Sequence, residues 1–363
     1  MKIGILGTRG IPNHYGGFEQ FAEQLAVDLV QRGHEVSVYN SHNHPYQEKT
    51  FHGVHIIHCF DPEFKIGTAG QFVYDFLCIA DSRKRGFDIL LQLGYTSNSV
   101  WKWLLPKKPV IVTNMDGMEW KRSKYSERTK TFLKQAEKWA VESSDFLVAD
   151  SIGIQAYLTS AYGKKSVYIP YGCTPPTGFE EGHLHEYQLI PGTYNLLIAR
   201  MEPENNIETI IRGYIDSGVQ EDLIVIGNHQ NGFGTRLKNT FENHTHIRWM
   251  GAIYNMAILN SLRRFSRFYF HGHSVGGTNP SLLEAMACQT FIIAHNNEFN
   301  KAILGEDALY FSNAEDLAQT LIKSVPADND FRKNNLQKIE QYFTPATITD
   351  QYEKLFQECL ATK

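Results

Sequence analysis

Three stretches of the chain set small residues, backbone amides and single charges beside helix starts. In "HGHSVGGTNPSLLEAMA", residues 271–287, a strand-like run carries His271 and His273 into Gly276-Gly277-Thr278-Asn279, and a helix follows with Leu282, Leu283 and Met286 on its apolar face. Loop amides at a helix mouth suit an anion. Glu284, the lone acid near the start of that helix, can accept hydrogen bonds from a diol such as a ribose, or can simply be an acid favoured by the helix dipole. In "LLIARMEPENNIETIIRG" a strand ends at Arg200 and a helix begins near Asn206. A guanidinium at the C-terminal end of a strand can fork onto a phosphate where ligands bind in doubly wound sheets, or can pair with Glu202 or Glu204.

The third stretch is the opening, "KIGILGTRGIPNHYGGFEQFAEQLA", in which a strand leads through a long loop to Gly16-Gly17 and an amphipathic helix with Phe18, Phe21, Ala22 and Leu25 at helical spacing. Its helix start offers free amides to a phosphate, although a glycine pair before a helix also serves as a plain turn. The loop is too long for a G-x-G-x-x-G turn, which argues against a nicotinamide enzyme. Asp116 in "NMDGMEW" follows the strand-like "PVIVTN". A carboxylate there can take a proton from a nucleophile, steady a developing positive charge, or cap the loop; Glu119 is the second such candidate.

Other clusters do not converge. His52, His55 and His58 are spaced three apart, so in a strand they alternate between faces and cannot together hold a metal. His271 and His273 do share a face, which fits either a place near a ligand or packing. "DND" at 328–330 reads as a polar turn.

The elements that must position these residues alternate. Strand-like runs ("KIGILG", "HEVSVYN", "VHIIHCF", "DILLQL", "PVIVTN", "FLVADS", "SVYIPYG", then "NLLIAR", "LIVIG", "IRWMG", "FYFHG", "TFIIA", "ALYF") are separated by helical segments, the signature of an α/β chain with parallel sheets covered on both faces. A Pro- and Gly-rich stretch near 172–192 divides them, so two Rossmann-like halves are expected over 1–175 and 176–344, hinged around a cleft, with a helix over 345–363 packing back on the first. The 363 residues, 42% hydrophobic and 20% charged with net charge −4, describe an ordinary globular protein. No run is long enough to span a bilayer and the five cysteines show no paired spacing, so a cytoplasmic location with reduced thiols and no metal is expected. Residues 1–175 carry a net +3 and the remainder −7, with seven Lys and Arg against two Glu in 121–138. That basic stretch is either a peripheral contact with the cytoplasmic membrane face or a solvated helix face. No nucleic-acid partner is expected.

"GGTNPSLLEAMAC", with "ARMEPENNIE", "GTRGIPNHYGGFE", "NMDGMEWKR", "ADS" and "IPYG" in order along nearly the whole chain, resembles the rhamnosyltransferase-like branch of glycosyltransferase family 4. The resemblance implies a GT-B fold, two Rossmann-like domains facing each other across a cleft, with the nucleotide-sugar donor on the C-terminal domain and the acceptor on the N-terminal one. Carried over, Arg200 meets the diphosphate, backbone near Ile253 and Tyr254 meets the base, and Glu284 meets the ribose. Gly277, Thr278 and Asn279 offer amides to sugar or phosphate, while Gly16 and Gly17 cap the diphosphate from the opposite domain. Two positions depart from the wider family: Gly276 stands where a glutamate commonly touches the donor sugar, and Asn205, which joins the donor-binding residues, stands where a lysine commonly follows the arginine. Both fit the rhamnosyltransferase-like branch. Arg9 and Tyr15 join His271 and His273 as candidates for the acceptor or for support of the site, and Asp116 sits where many relatives have a histidine beside the sugar.

The expectation is therefore a retaining, metal-independent glycosyltransferase moving L-rhamnose from dTDP-rhamnose to a lipid-linked saccharide in bacterial surface polysaccharide synthesis. A different nucleotide-sugar donor, a nucleotide-sugar 2-epimerase, and a non-catalytic glycan-binding or partner subunit are the alternatives.

Overall fold

Long apolar strands with no polar face need cover on both sides, and the chain supplies it twice. The computed structural model describes residues 1–14, 16–323 and 330–362, and divides into two units. Unit 1 holds Met1–Lys121, Tyr125–Gly172 and Pro345–Lys363; unit 2 holds Arg122–Lys124 and Cys173–Thr344. Apart from Arg122–Lys124, the chain passes from unit 1 to unit 2 after Gly172 and returns at Pro345.

In unit 1 the strands are β1 (Lys2–Leu6), β2 (Glu35–Ser41), β3 (Thr50–Phe51), β4 (Val54–Cys59), β5 (Ile89–Leu93), β6 (Val110–Asn114), β7 (Phe146–Ala149) and β8 (Val167–Tyr168). Their order is β3-β4-β2-β1-β5-β6-β7-β8, parallel throughout except for the β3–β4 hairpin. Every residue of β5 and β6 is buried, as expected of central parallel strands between helical layers. The helix Gly17–Gln31 buries Ala22, Leu25, Ala26 and Leu29, one stripe of an amphipathic helix.

The C-terminal helix Pro345–Ala361 belongs to the same unit and buries Ile348, Tyr352, Leu355, Phe356 and Cys359 at helical spacing. Each fully buried large apolar side chain contributes about 1.5–3 kcal/mol. Direction is set by polar contacts: Arg32 bonds Asp350 at 2.5 Å and Glu353 at 2.8 Å, and the His34 ring meets Glu353 at 2.8 Å.

Unit 2 has six parallel strands, β9 (Tyr194–Ile198), β10 (Asp222–Ile226), β11 (Ile247–Gly251), β12 (Tyr269–His271), β13 (Ile292–His295) and β14 (Leu309–Phe311), in the order β11-β10-β9-β12-β13-β14. The order reverses between β9 and β12, and in unit 1 between β1 and β5. Ligands of open parallel sheets bind outside the carboxyl ends of the strands at that reversal. The loops after β1, β9 and β12 are the three stretches the sequence singled out.

Candidate functional site

In unit 2 the loops leaving β9 and β12 are stitched together. Asn205 and Asn206 close a tight turn after Arg200: the Asn205 side chain donates to the Arg200 carbonyl at 2.7 Å, and the Asn206 side chain donates to the Gly272 carbonyl at 2.8 Å. A Cβ at Gly272 would collide with the Asn205 carbonyl, so only glycine lets β12 run this close to the turn. The Asn205 amide, expected among the donor-binding groups, is spent on holding the Arg200 loop.

Arg200 is exposed, and its guanidinium makes no hydrogen bond or ion pair among the described residues. The carboxylates that could have neutralised it are engaged elsewhere within unit 2. Glu202 lies 3.4 Å from Lys124 and 3.9 Å from Arg122, and Glu204 accepts from Ser123 at 2.6 Å. A surface ion pair is therefore not what Arg200 makes.

His271 and His273 stack, centroids 4.5 Å apart and planes 17° from parallel. His271 is fully buried and neither ring nitrogen has a partner among the described residues; the same is true of Nδ1 of His273. Such an orphaned buried group costs about 1–3 kcal/mol. Burial holds the His271 pKa well below the ordinary value. Burial, then the charges of Arg200 and Arg122, push His273 down to about 3. Both rings are neutral at physiological pH.

Glu284 is not at a helix mouth. It is the fifth residue of the helix Pro280–Ala287, one turn inside, because Asn279 caps the start by accepting from the Ser281 N–H at 2.9 Å. Its Oε2 meets Nη2 of Arg263 at 2.5 Å, and Arg263 is 1% exposed. Burial alone would lower the Arg263 pKa, but the Glu284 charge and other neighbours outweigh it and raise it. Oε1 of Glu284 makes no hydrogen bond among the described residues, and the side chain keeps 19% of its surface exposed. Sequence reasoning missed Arg263; its place on the buried stripe Leu259, Leu262, Arg263 was the available signal for a cation needing a carboxylate.

Thr278 is buried, while Gly276, Gly277 and Asn279 are half-buried. Ile253 is half-buried and Tyr254 is 84% exposed, both beyond the end of β11, two strands from β9. At the usual strand spacing this is roughly 10 Å.

In unit 1 the loop after β1 is closed on itself. A Cβ at Gly7 would collide with the Leu93 carbonyl, so β1 runs tightly against β5. Arg9 forks onto Glu63 through Nε at 2.9 Å and Nη2 at 2.8 Å, and that hydrogen bonding lowers the Glu63 pKa. The Arg9 N–H donates to Glu19 at 2.9 Å. Glu19 is buried in the first turn of Gly17–Gln31, and its Oε2 would lie 3.2 Å from a Cβ at Gly16. The Gly16-Gly17 helix mouth thus already has a carboxylate beside it. Tyr15 lies outside the described residues, as do residues 328 and 329 of the polar turn; Asp330 precedes the helix Phe331–Tyr342.

Asp116, beyond β6, has φ +50°, a left-handed conformation that Asp tolerates better than most residues. Its N–H donates to Asn114 Oδ1 at 2.9 Å, and its Oδ1 accepts from the Tyr171 hydroxyl at 3.2 Å. Asn114 in turn donates to the hydroxyl of Tyr352 at 3.0 Å, so the C-terminal helix reaches the Asp116 backbone through one side chain. Glu119 begins a short 3-10 turn, Glu119–Lys121. The basic stretch enters the helix Glu127–Ser143, with Lys121 and Lys134 over the Trp120 ring. No helix among the described residues is long and apolar enough to cross a membrane.

Solved structures match the chain end to end. Sucrose-phosphate synthase from Thermosynechococcus elongatus is 16% identical, covers the whole of both chains and has a TM-score of 0.78. A glycosyltransferase from Rickettsia africae ESF-5 is 16% identical over the whole of both chains, TM-score 0.74. Anabaena HepE in complex with UDP and glucose is 15% identical over 99% of this chain and 100% of that chain, TM-score 0.73. The chain has the GT-B fold. A family model described as "Domain of unknown function (DUF1972)" matches residues 1–90 and 106–174 of this GT-B chain. Comparison with curated protein sequences returns no match.

Proposed function

We propose that the protein is a glycosyltransferase that takes its sugar from a nucleotide-sugar. The observation that carries this reading is Arg200 at the β9–β12 reversal of unit 2, without a hydrogen bond or ion pair among the described residues and beside a neutral histidine pair. A diphosphate gives that guanidinium the forked partner it lacks. The amides around Gly277, Thr278 and Asn279 then face sugar or phosphate, the free oxygen of Glu284 accepts from the ribose, and the segment at Ile253 and Tyr254 borders the base. HepE was solved with UDP and glucose, which supports a nucleotide-sugar as co-substrate.

Unit 1 supplies the acceptor side. Asp116, held by Asn114 and Tyr171, receives the acceptor's proton or steadies charge on the donor ring, with Glu119 as the second carboxylate. The reaction we infer retains configuration, with the leaving phosphate sharing the proton transfer, and uses no metal or other cofactor. The donor we favour is dTDP-L-rhamnose, on the resemblance of "GGTNPSLLEAMAC" and the absence of a side chain at Gly276. The acceptor we favour is a lipid-linked saccharide at the cytoplasmic membrane face, with the basic stretch 121–138 as the contact.

A thermal-shift panel of dTDP-rhamnose, UDP-glucose, UDP-GlcNAc, GDP-mannose and the bare nucleotides tests this. A ligand at 100 times its Kd adds about 2.7 kcal/mol to native stability. Stabilisation greatest with dTDP-rhamnose is expected. Preference for a UDP or GDP sugar overturns the rhamnose donor and keeps the transferase; free 2-epimer without acceptor makes it an epimerase; no response to any nucleotide leaves a non-catalytic subunit.

A further inference from the structure

The backbone around His273 is pinned from two sides. The Gly272 carbonyl accepts from Asn206, and the His273 carbonyl accepts from the side chains of Asn297 at 3.0 Å and Asn300 at 3.1 Å. One residue on, Ser274 donates to the Glu204 carbonyl through its N–H at 3.1 Å and its hydroxyl at 2.8 Å. The neighbouring backbone groups at this strand end are used, whereas the His273 ring is not: Nδ1 is buried without a partner and Nε2 makes no hydrogen bond among the described residues. Below it, His271 stacks at 4.5 Å and continues the column to Tyr269, so the ring plane is fixed by packing. Buried polar groups are almost always satisfied, and one held rigidly without a partner marks a place where a partner belongs.

The chemistry of that partner follows from the ring's surroundings. Burial, and after it the charges of Arg200 and Arg122, keep the imidazole neutral, so it offers one N–H and one lone pair. A phosphate uses only donors and is already matched by a guanidinium. A hydroxyl uses a donor or an acceptor equally well. Three residues on, Gly276 supplies no side chain, and nothing lies within 4 Å of where its Cβ would stand.

We propose that His273 hydrogen-bonds a hydroxyl of the sugar carried by the nucleotide, with His271 as a positioning residue that holds the ring plane. The assignment rests on the nucleotide-sugar reading of this site. It makes His273 the residue by which the protein tells a sugar-nucleotide from the bare nucleotide.

Isothermal titration of the full chain with dTDP, UDP, dTDP-rhamnose and UDP-glucose separates the possibilities. For whichever sugar-nucleotide the wild type binds best, His273→Ala is expected to raise Kd about ten- to a hundredfold, the range for one lost hydrogen bond in a site built to make it. The Kd for the matching bare nucleotide stays within about twofold, which also reports an intact site. His273→Asn recovers part of the loss, and His271→Phe, which keeps a ring in the stack, costs only a few-fold. Equal loss for bare nucleotide and sugar-nucleotide overturns the proposal in favour of phosphate contact, and unchanged sugar-nucleotide affinity in His273→Ala overturns it in favour of packing. If the wild type binds none of the four, and neither UDP-GlcNAc, GDP-mannose nor GDP, the transferase reading itself falls and takes the assignment with it.

Discussion

The loop after β1 in unit 1 and the loops after β9 and β12 in unit 2 look alike as sequence: a strand, an arginine, small residues, a helix. Their polar groups behave differently. In unit 1 the arginine is forked onto Glu63, its backbone amide is taken by Glu19, and the Asn13 N–H donates to Glu23 at 2.6 Å. In unit 2 the equivalent arginine and the neighbouring imidazole have no hydrogen-bond partner among the described residues, although the backbone beneath them is just as tightly held. A ligand site is recognised by what the fold leaves unpaired on a fixed frame. Glycines before a helix mark only where to look.

The largest break in this comparison is expected from unit 1. Asp116→Asn keeps a residue that tolerates positive φ and so keeps the fold, but removes the charge. Transfer should fall about a hundredfold or more, with nucleotide binding in unit 2 unchanged, as read by steady-state kinetics beside titration calorimetry. Equal activity in the two proteins would remove Asp116 from the chemistry.

The two arginines should next part company. Arg200→Ala is expected to weaken nucleotide binding about ten- to a hundredfold at an unchanged melting temperature, because the side chain has no hydrogen bond or ion pair among the described residues to lose. Arg9→Ala should do the reverse, destabilising unit 1 by about 1 kcal/mol through the lost fork to Glu63 while leaving nucleotide affinity alone. Matching effects of the two substitutions would erase the distinction.

Two buried groups, one in each unit, should also respond oppositely to pH. Asp75, buried in unit 1 and accepting from Ser97 at 2.5 Å, is raised by burial to about 7. The folded state then keeps a proton that the unfolded chain releases near 3.8, so its contribution falls as pH rises between those values, by up to about 1.4 kcal/mol per unit. His273 is shifted the other way: between 6.5 and about 3 the unfolded chain takes up a proton that the folded ring refuses, and stability falls as pH drops. Hydrogen exchange compared with wild type from pH 4 to 6.5 should show Asp75→Asn removing a loss of unit 1 stability with rising pH, and His273→Asn removing a loss of unit 2 stability with falling pH. Slopes unchanged by either substitution would contradict that assignment.

The smallest expected effect is at Gly276, whose φ of +121° favours glycine although the space around it is open. Gly276→Ala should cost about 1 kcal/mol in thermal unfolding and leave bare-nucleotide affinity unchanged. A gain in stability there would mean that the backbone relaxes freely.

Much of the architecture was legible before any coordinates. Thirteen runs read as strands correspond to β1, β2 and β4–β14, and only the two-residue β3 was missed, since Thr50–Phe51 is too short to show alternation. Helix starts at Gly17, beside Asn206 and at Pro345 were visible from apolar spacing and local start signals. The site was less legible. Glu284 reads as a helix-mouth acid in the sequence, but the Pro280 start and the Asn279 cap set it one turn inside, and Asn205 reads as a ligand group because its acceptor, the Arg200 carbonyl, is a backbone atom no side-chain pattern reveals.

By itself, then, the sequence determined a pair of parallel α/β halves, because a strand buried on both faces must be apolar along its length and a helix covering it must repeat every three to four residues. Only the tertiary structure decided which polar groups are spent and which are left over. Arg9 meets Glu63 across 54 residues, Arg263 meets Glu284 across 21, and Asn114 meets Tyr352 across 238. Periodicity is local to one element, whereas the partner of a buried charge can come from any part of the chain that the fold brings within about 3 Å.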